Sequence, residues 1–527
     1  MHLKGRLAAG GVLFLAALVR APFVLPSLPY LAYMDEGHVL HHAAVLARNG
    51  GWDPGWYGYP SLTLYLIAGA FRVLAFAFRI GGGRDLLSAV QPNAAFYDFV
   101  MPPELIVVGR VVVLLAGLGI VALGMALARR LAGERAGLVA GILLALCPAL
   151  VQRSPIVIVD TVAAFFALGA LFAALRVEGP AESSARETQV RWSLAAGALS
   201  GLAAASKYPV GAVMIAVLGT IALLPAPALE RIKLGAAAVA AACVGAVVGM
   251  PALVLKPAAV FEALREQARL YGDPALMFHG AAPVDRSAVR DSFRSYEMGA
   301  VLPFFGVAAF LVILALGKKQ RRQVGPWIAF AAVLLVSVLG FPFQPFRNLL
   351  VLVPLLVVAV PVAIDSALPP GRRRGLAGAA TCVALAATFI PGLLLIRQVY
   401  GRGDSRVTAV GRLAETLGPQ DRVLVLRELA VLPAELARLG APVTVVPWYE
   451  ARAAAETGSF TRLVFGDLDP SGYVPGAGEN LSELPAFRNW AAGLPEAFRV
   501  GSARTPMPPV FWRSAEELLV VARLPHR

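Results

Sequence analysis

The sequence predicts an α-helical polytopic membrane protein with a small α/β domain at its C-terminus. Three observations carry that expectation. The 527-residue chain is 58% hydrophobic and only 15% charged, and its mean hydropathy is +0.69. A soluble chain of this length needs far more charge to cover its surface. Apolar runs approaching the roughly 20 residues that cross about 30 Å of hydrocarbon recur from Leu7 to Leu395. Compact basic clusters fall between these runs at alternate turns, as cytoplasmic loops do.

The spans follow in order. Lys4 and Arg6 precede Leu7–Leu25, which places the N-terminus in the cytoplasm. Its core resembles a signal peptide but continues past Arg20 without a small-residue cleavage site, so an uncleaved first span is expected. A long external segment, 26–104, follows. Within it Pro60–Phe78 is apolar, yet counting it as a crossing would put every later basic cluster outside. It is therefore read as an interfacial or re-entrant helix. Leu105–Leu127 and Ala136–Val151 flank a short inner turn at Arg129, Arg130, Glu134 and Arg135. Thr161–Leu175 descends from Asp160, and Arg176–Arg191 is an inner loop. Ser193–Ser206 and Pro209–Leu224 form a pair around Lys207 and Tyr208, and Leu234–Leu253 returns outward. An outer loop from Val254 to Tyr296 holds Tyr271 and His279. Gly299–Leu316, Pro326–Phe341, Leu349–Ile364 and Leu376–Leu395 complete about eleven crossings, with Lys318–Arg322 and Arg372–Arg374 inside.

This topology implies a multi-pass protein of the plasma (inner) membrane whose residues 397–527 lie outside the cytoplasm. In that tail Val407–Leu417 and Leu432–Leu439 read as helices. Arg422–Leu426, Val443–Val446, Leu463–Phe465 and Leu518–Ala522 read as strands. The tail has no glycine-rich phosphate loop and no nucleophile elbow, so an accessory role is expected of it. The net charge of +14 is dispersed in loop clusters, which excludes nucleic acid as the partner. Cys147, Cys243 and Cys382 each lie inside an apolar run, without the spacing of a disulfide framework or a thiolate metal site.

The chemistry gathers on the outer face. Asp35 and Glu36 follow the first span, and Asp35, His38 and His42 share one face of a helix begun near Asp35. The pair reads either as an acidic helix N-terminus favoured by the helix dipole or as a catalytic carboxylate at the membrane surface. The same topology brings Asp160, Lys207, His279 and Arg347 to that side. An acid and a base in one wet cavity fit a general base beside an anion-binding shell. An anionic substrate that reaches this face through the bilayer is most simply a lipid phosphate. Trp52, Trp56, Tyr57 and Tyr59 read as an interfacial aromatic belt or as a surface on which a sugar stacks.

Several motifs, in matching order, resemble the GT-C superfamily of integral-membrane glycosyltransferases, in particular the protein O-mannosyltransferase and lipid A aminoarabinose transferase branch. They are Met34-Asp35-Glu36-Gly37-His38, Tyr59-Pro60-Ser61-Leu62, Gly133–Ala140, Ser154–Asp160, Gly201–Tyr208 and Phe346-Arg347-Asn348-Leu349-Leu350. The resemblance covers residues 7–395 and implies a GT-C-like membrane domain over 1–396. It also implies transfer of a sugar from a polyprenyl-phosphate-linked donor to a hydroxyl of a protein, lipid or glycan, with inversion. Asp35 and Glu36 are then the catalytic pair, with Asp35 as base, while Asp160, Lys207, Arg347, His38 and Tyr59 bind substrate. A divalent metal held by Asp35 and Asp160 is compatible with this pattern but not required by the sequence. Asn348 stands where relatives carry Tyr, so donor identity does not carry over. The rival readings are a membrane transporter and a non-catalytic lipid-binding protein.

Overall fold

The computed structural model describes residues 3–25, 27–31, 34–90, 101–178, 185–273, 301–341, 346–400, 404–429, 431–466, 483–500 and 519–524. His279, Tyr33 and the segment 274–300 lie outside them. The membrane domain comprises α1 (Leu3–Arg20), α2 (Met34–Asn49), α3 (Leu62–Ile80), α4 (Pro103–Ala132), α5 (Glu134–Leu146), α6 (Pro148–Arg153), α7 (Val159–Val177) and α8 (Ala185–Ser206). It continues with α9 (Val213–Ala222), α10 (Ala228–Gly249), α11 (Ala252–Leu255), α12 (Pro257–Gly272), α13 (Leu302–Leu316), α14 (Lys318–Leu339), α15 (Leu352–Ala367) and α16 (Arg372–Tyr400). Among the described residues seven helices are long and apolar enough to cross a membrane, and shorter apolar helices include α13 and α15. The last span runs to Tyr400, past the expected boundary at 396.

The bundle has two chemically distinct ends. At one, Arg130 donates to the carbonyls of Leu175 and Glu178, Gln323 donates to Glu178 at 2.6 Å, and Arg231 donates to the Ala222 carbonyl. The basic turns predicted to be cytoplasmic thus meet one another. Gly133 makes the tightest of these turns, at φ +89°, a conformation that only glycine adopts without strain. At the other end lie the C-termini of α1 and α8 and the N-termini of α2, α4 and α7.

Helix α3 satisfies the length of a span, yet both its ends lie at that second end. Leu62 neighbours Gly249 and Ala205 at the C-termini of α10 and α8. Beyond the helix, Arg84 pairs with Glu104 in the first turn of α4 at 2.7 Å. Arg72 meanwhile donates to the Leu46 and Ala47 carbonyls of α2, supplying acceptors for a charge that otherwise faces lipid. Ile67, Phe71 and Ala75 pack inward while Val73, Phe76 and Ile80 stay exposed. The helix is thus apolar on its outer face and has both ends near one rim of the bundle.

The C-terminal unit packs α17 (Ser405–Thr416), α18 (Pro433–Ala437), α19 (Trp448–Thr457) and α20 (Leu484–Ala492) with a sheet of β1 (Val423–Leu426), β2 (Val443–Val446), β3 (Arg462–Gly466), β4 (Glu496–Val500) and β5 (Leu519–Arg523). Strand order is β2-β1-β3-β5-β4. β1 is parallel to β2 and β3, and β5 is antiparallel to β3 and β4. All four β1 residues are buried, as expected of a parallel strand covered on both faces.

Close packing of α8 on α10 fixes where Lys207 emerges. A Cβ built on Gly201 collides with the Ala242 carbonyl oxygen and crowds the Ala246 nitrogen, so glycine lets the two backbones touch. Gly201→Leu is expected to destabilise the bundle by about 1–3 kcal/mol, read as a lower thermal midpoint of the detergent-solubilised protein.

Candidate active site

Asp35 and Asp160 each occupy the first turn of a helix, α2 and α7, where the dipole favours a carboxylate. Neither waits for a cation from solution. Arg347 forms an ion pair with Asp35, and Lys207 forms one with Asp160. Lys207 Nζ also donates to Asn348 Oδ1 at 2.6 Å. Arg347 and Asn348 are consecutive residues of a single short turn, Phe346–Leu349. One turn therefore ties the two carboxylates, 125 positions apart in sequence, into one charge cluster. Asp35 is 6% exposed and Lys207 8%, so the cluster sits in a recess rather than on an open surface.

Glu36 faces elsewhere. It is fully buried against Arg110, itself fully buried in α4. Arg110 Nε and Nη2 grip both carboxylate oxygens at 2.8 and 2.9 Å. The remaining Arg110 donors reach the Val24 carbonyl at 2.7 Å and Ser27 Oγ at 2.8 Å. Glu36 Oε1 also accepts from the Val157 backbone N–H at 3.2 Å. The pair thus joins the turn after α1, the start of α2, the first part of α4 and the extended residues that lead into Asp160.

His38 and His42 lie one turn apart on α2, and both rings are nearly parallel to Trp56, with centroids 5.6 and 4.7 Å away. Tyr59 meets Trp56 edge-on. Burial lowers the His38 pKa despite the opposing pull of Asp35. Burial, reinforced by His41 and His38, lowers that of His42 to about 4. Both imidazoles are accordingly neutral near pH 7 and stack as aromatic rings. Burial first, and the Asp35 charge next, raise the Tyr59 phenol well above its ordinary pKa, so it is a neutral donor beside the cluster.

Asp35 and Asp160 are neutralised by Arg347 and Lys207, and among the described residues no three His, Cys, Asp or Glu side chains gather as ligands. The expected residues Asp35, Asp160, Lys207, Arg347 and Tyr59 do come together. Arg110 was missed, although a lone arginine inside an apolar run is the signal that finds such groups.

Residues 104–254 match the family model described as dolichyl-phosphate-mannose-protein mannosyltransferase; that stretch contains Arg110, Asp160 and Lys207. No curated protein matches the chain. Among solved structures, apo ArnT from Cupriavidus metallidurans aligns with a TM-score of 0.51 at 15% identity, covering 98% of each chain. ArnT bound to undecaprenyl phosphate gives 0.49 at 17%, covering 97% of this chain and 98% of that one. The Archaeoglobus fulgidus oligosaccharyltransferase in complex with Zn and sulfate gives 0.49 at 14%, covering 87% and 68%. The apo ArnT alignment carries the fold. The chain is thus similar in fold to apo ArnT along nearly its whole length, and residues 104–254 are similar to the mannosyltransferase family model.

Two outcomes follow from this geometry. Arg110→Ala strands the buried Glu36 carboxylate and should cost about 3–5 kcal/mol, whereas pairing it with Glu36→Leu should recover much of the loss; thermal unfolding in detergent distinguishes the two. The depressed His42 pKa means that the unfolded chain binds the proton more readily, so stability falls as pH drops from 6.5 towards 4. Trp56 fluorescence followed through that window should report loosening of the stack, and His42→Phe should flatten the response.

Proposed function

We propose that the protein transfers a sugar from a polyprenyl-phosphate-linked donor to an acceptor hydroxyl on the extracytoplasmic face of the inner membrane, with inversion at the anomeric carbon. The observation that carries this reading is the paired cluster Asp35–Arg347 and Asp160–Lys207–Asn348, held by one turn at one end of the bundle.

The acceptor oxygen attacks the anomeric carbon from the side opposite the phosphate. Its proton passes to Asp35, which must lie within hydrogen-bond reach, about 2.6–3.2 Å. The bond from the anomeric carbon to the phosphate oxygen breaks, its electron pair leaves with the lipid phosphate, and the charge that develops there is met by Arg347 and Lys207. A phosphate that competes for the Arg347 guanidinium releases Asp35 to act as base. Asp160 holds Lys207 in place, Tyr59 supplies a neutral hydrogen bond, and Glu36 positions Asp35 through Arg110 rather than reacting itself. Acceptor proteins, lipids and glycans are all compatible with this chemistry.

Relatives in fold supply context for the donor. ArnT was solved with undecaprenyl phosphate bound, and the family model over residues 104–254 is named for a dolichyl-phosphate-linked sugar. A transporter reading lacks comparable support, because the charged cluster lies at one end of the helices and not near their midpoints.

Asp35→Asn is expected to lower the turnover number by about 10²–10⁴ without unfolding the protein. Lys207→Ala should weaken use of the lipid-phosphate donor. Mass analysis of cell-envelope glycans and glycoproteins at matched expression, followed by transfer assays with polyprenyl-phosphate sugars, checks both. Unchanged glycans with Asp35→Asn would overturn the proposal.

A further inference from the structure

The turn between α1 and α2 is held from two directions. From the membrane side, Arg110 donates to Val24, Ser27 and, at 3.5 Å, to the carbonyl of Tyr30. From the other side, the C-terminal unit grips the same Tyr30. The Arg406 guanidinium lies over the Tyr30 ring, 3.7 Å from its centroid. The Leu432 backbone N–H donates to the Tyr30 hydroxyl at 3.3 Å. Tyr30 is 4% exposed.

Arg406 is set in place before it meets that ring. Its Nε and Nη2 donate to Asp404 at 2.8 and 2.7 Å, and its Nη1 donates to the Leu429 carbonyl at 3.3 Å. Asp404 is in turn fixed as the cap of α17, accepting from the Arg406 backbone N–H. A guanidinium hydrogen-bonded along its edges presents its flat face, and a desolvated phenol is the partner such a face attracts. Leu429 and Leu432 lie in the connection from the carboxyl end of β1 to α18.

We infer that the C-terminal domain is a working part of the active site, with Tyr30 and Arg406 as positioning residues. The inference rests on the glycosyl-transfer reading of the site. The route is short: Arg406 fixes Tyr30, the Tyr30 turn fixes Arg110, Arg110 fixes Glu36, and Asp35 is the next residue. A base displaced by about 1 Å loses on the order of 10²-fold in rate, so movement of the domain reaches the chemistry through its geometry and not through donor affinity.

The test compares Arg406→Ala, Tyr30→Ala and Tyr30→Phe in the full-length protein in detergent, with Arg452→Ala, at an exposed i,i+4 pair in α19, as control. Two readouts are taken: hydrogen exchange of residues 24–39, and kcat and KM for a polyprenyl-phosphate sugar. Arg406→Ala and Tyr30→Ala should each speed exchange in 24–39 and lower kcat about tenfold or more, leaving donor KM nearly constant. The double variant should be little worse than either single. Tyr30→Phe, which keeps the ring, should recover most of the loss. Faster exchange in the variants, together with a wild-type protein that transfers no sugar, would sustain the coupling and overturn the glycosyl-transfer reading. Unchanged exchange in 24–39, or faster exchange with unchanged kcat, would overturn the positioning role.

Discussion

The ion pair of Arg110 with Glu36 is the constraint on which the remaining geometry depends. Two charges removed from water each carry a desolvation cost of several kcal/mol, and their attraction offsets it only when the other donors and acceptors are also satisfied. Here they are: both carboxylate oxygens are gripped, and the spare Arg110 donors find a carbonyl and a hydroxyl. Such an arrangement tolerates little displacement. Its members come from four parts of the chain, so the pair locks the relative positions of α2, α4, the turn after α1 and the approach to α7. Asp35 and Asp160 inherit their placement from it.

A second constraint comes from the membrane. Charged groups are tolerated at helix ends and not in the hydrocarbon between, so the bundle sorts its ionisable residues to two rims. The basic rim is knit by arginine-to-carbonyl contacts at helix C-termini, as in Arg130 to Leu175 and Arg231 to Ala222. The other rim carries ion pairs of acid with base and holds the candidate site. Arg20 shows how a cation is accommodated without a carboxylate: it is fully buried and donates to the Leu144, Ala145 and Ala16 carbonyls and to Ser154. Helix α3 leaves Val73, Phe76 and Ile80 exposed on its outer face.

Much of this was legible in the sequence, for identifiable reasons. Apolar length is a property of single segments, so the long apolar helices of the bundle could be read directly, whereas the amphipathic helix α12 lies where a loop was expected. The strands β1, β2, β3 and β5 were also legible, because each is built on a short apolar run. β4 and the helices α19 and α20 were not: Glu496–Val500 has no clear alternation, and the helices carry their signal in Trp448, Phe487 and Trp490, which pack on one another only after folding. At the site, Asp35 and Asp160 stood out as carboxylates beside apolar spans. Arg110 carried a local signal, a lone arginine inside an apolar run, but its partner is 74 residues away and only the fold identifies it. The role of Glu36 changed for the same reason: two adjacent acids look alike in sequence, and only the fold turns one towards the recess and the other into the protein.

The charge balance of the recess suggests how it handles an anionic substrate. Asp35 and Asp160 contribute two negative charges, and Arg347 and Lys207 two positive ones, so the four side chains sum to zero at neutral pH. Each cation already has an internal partner, which keeps the empty site from acting as a sink for stray anions. Under the glycosyl-transfer proposal, a lipid phosphate entering the site would draw on both cations at once. Its binding leaves the carboxylates less well neutralised and therefore readier to accept a proton or orient a hydroxyl. In the proposed reaction the phosphate would gain charge as the sugar departs, so its claim on Arg347 and Lys207 would strengthen as the bond breaks, the differential interaction that lowers a barrier.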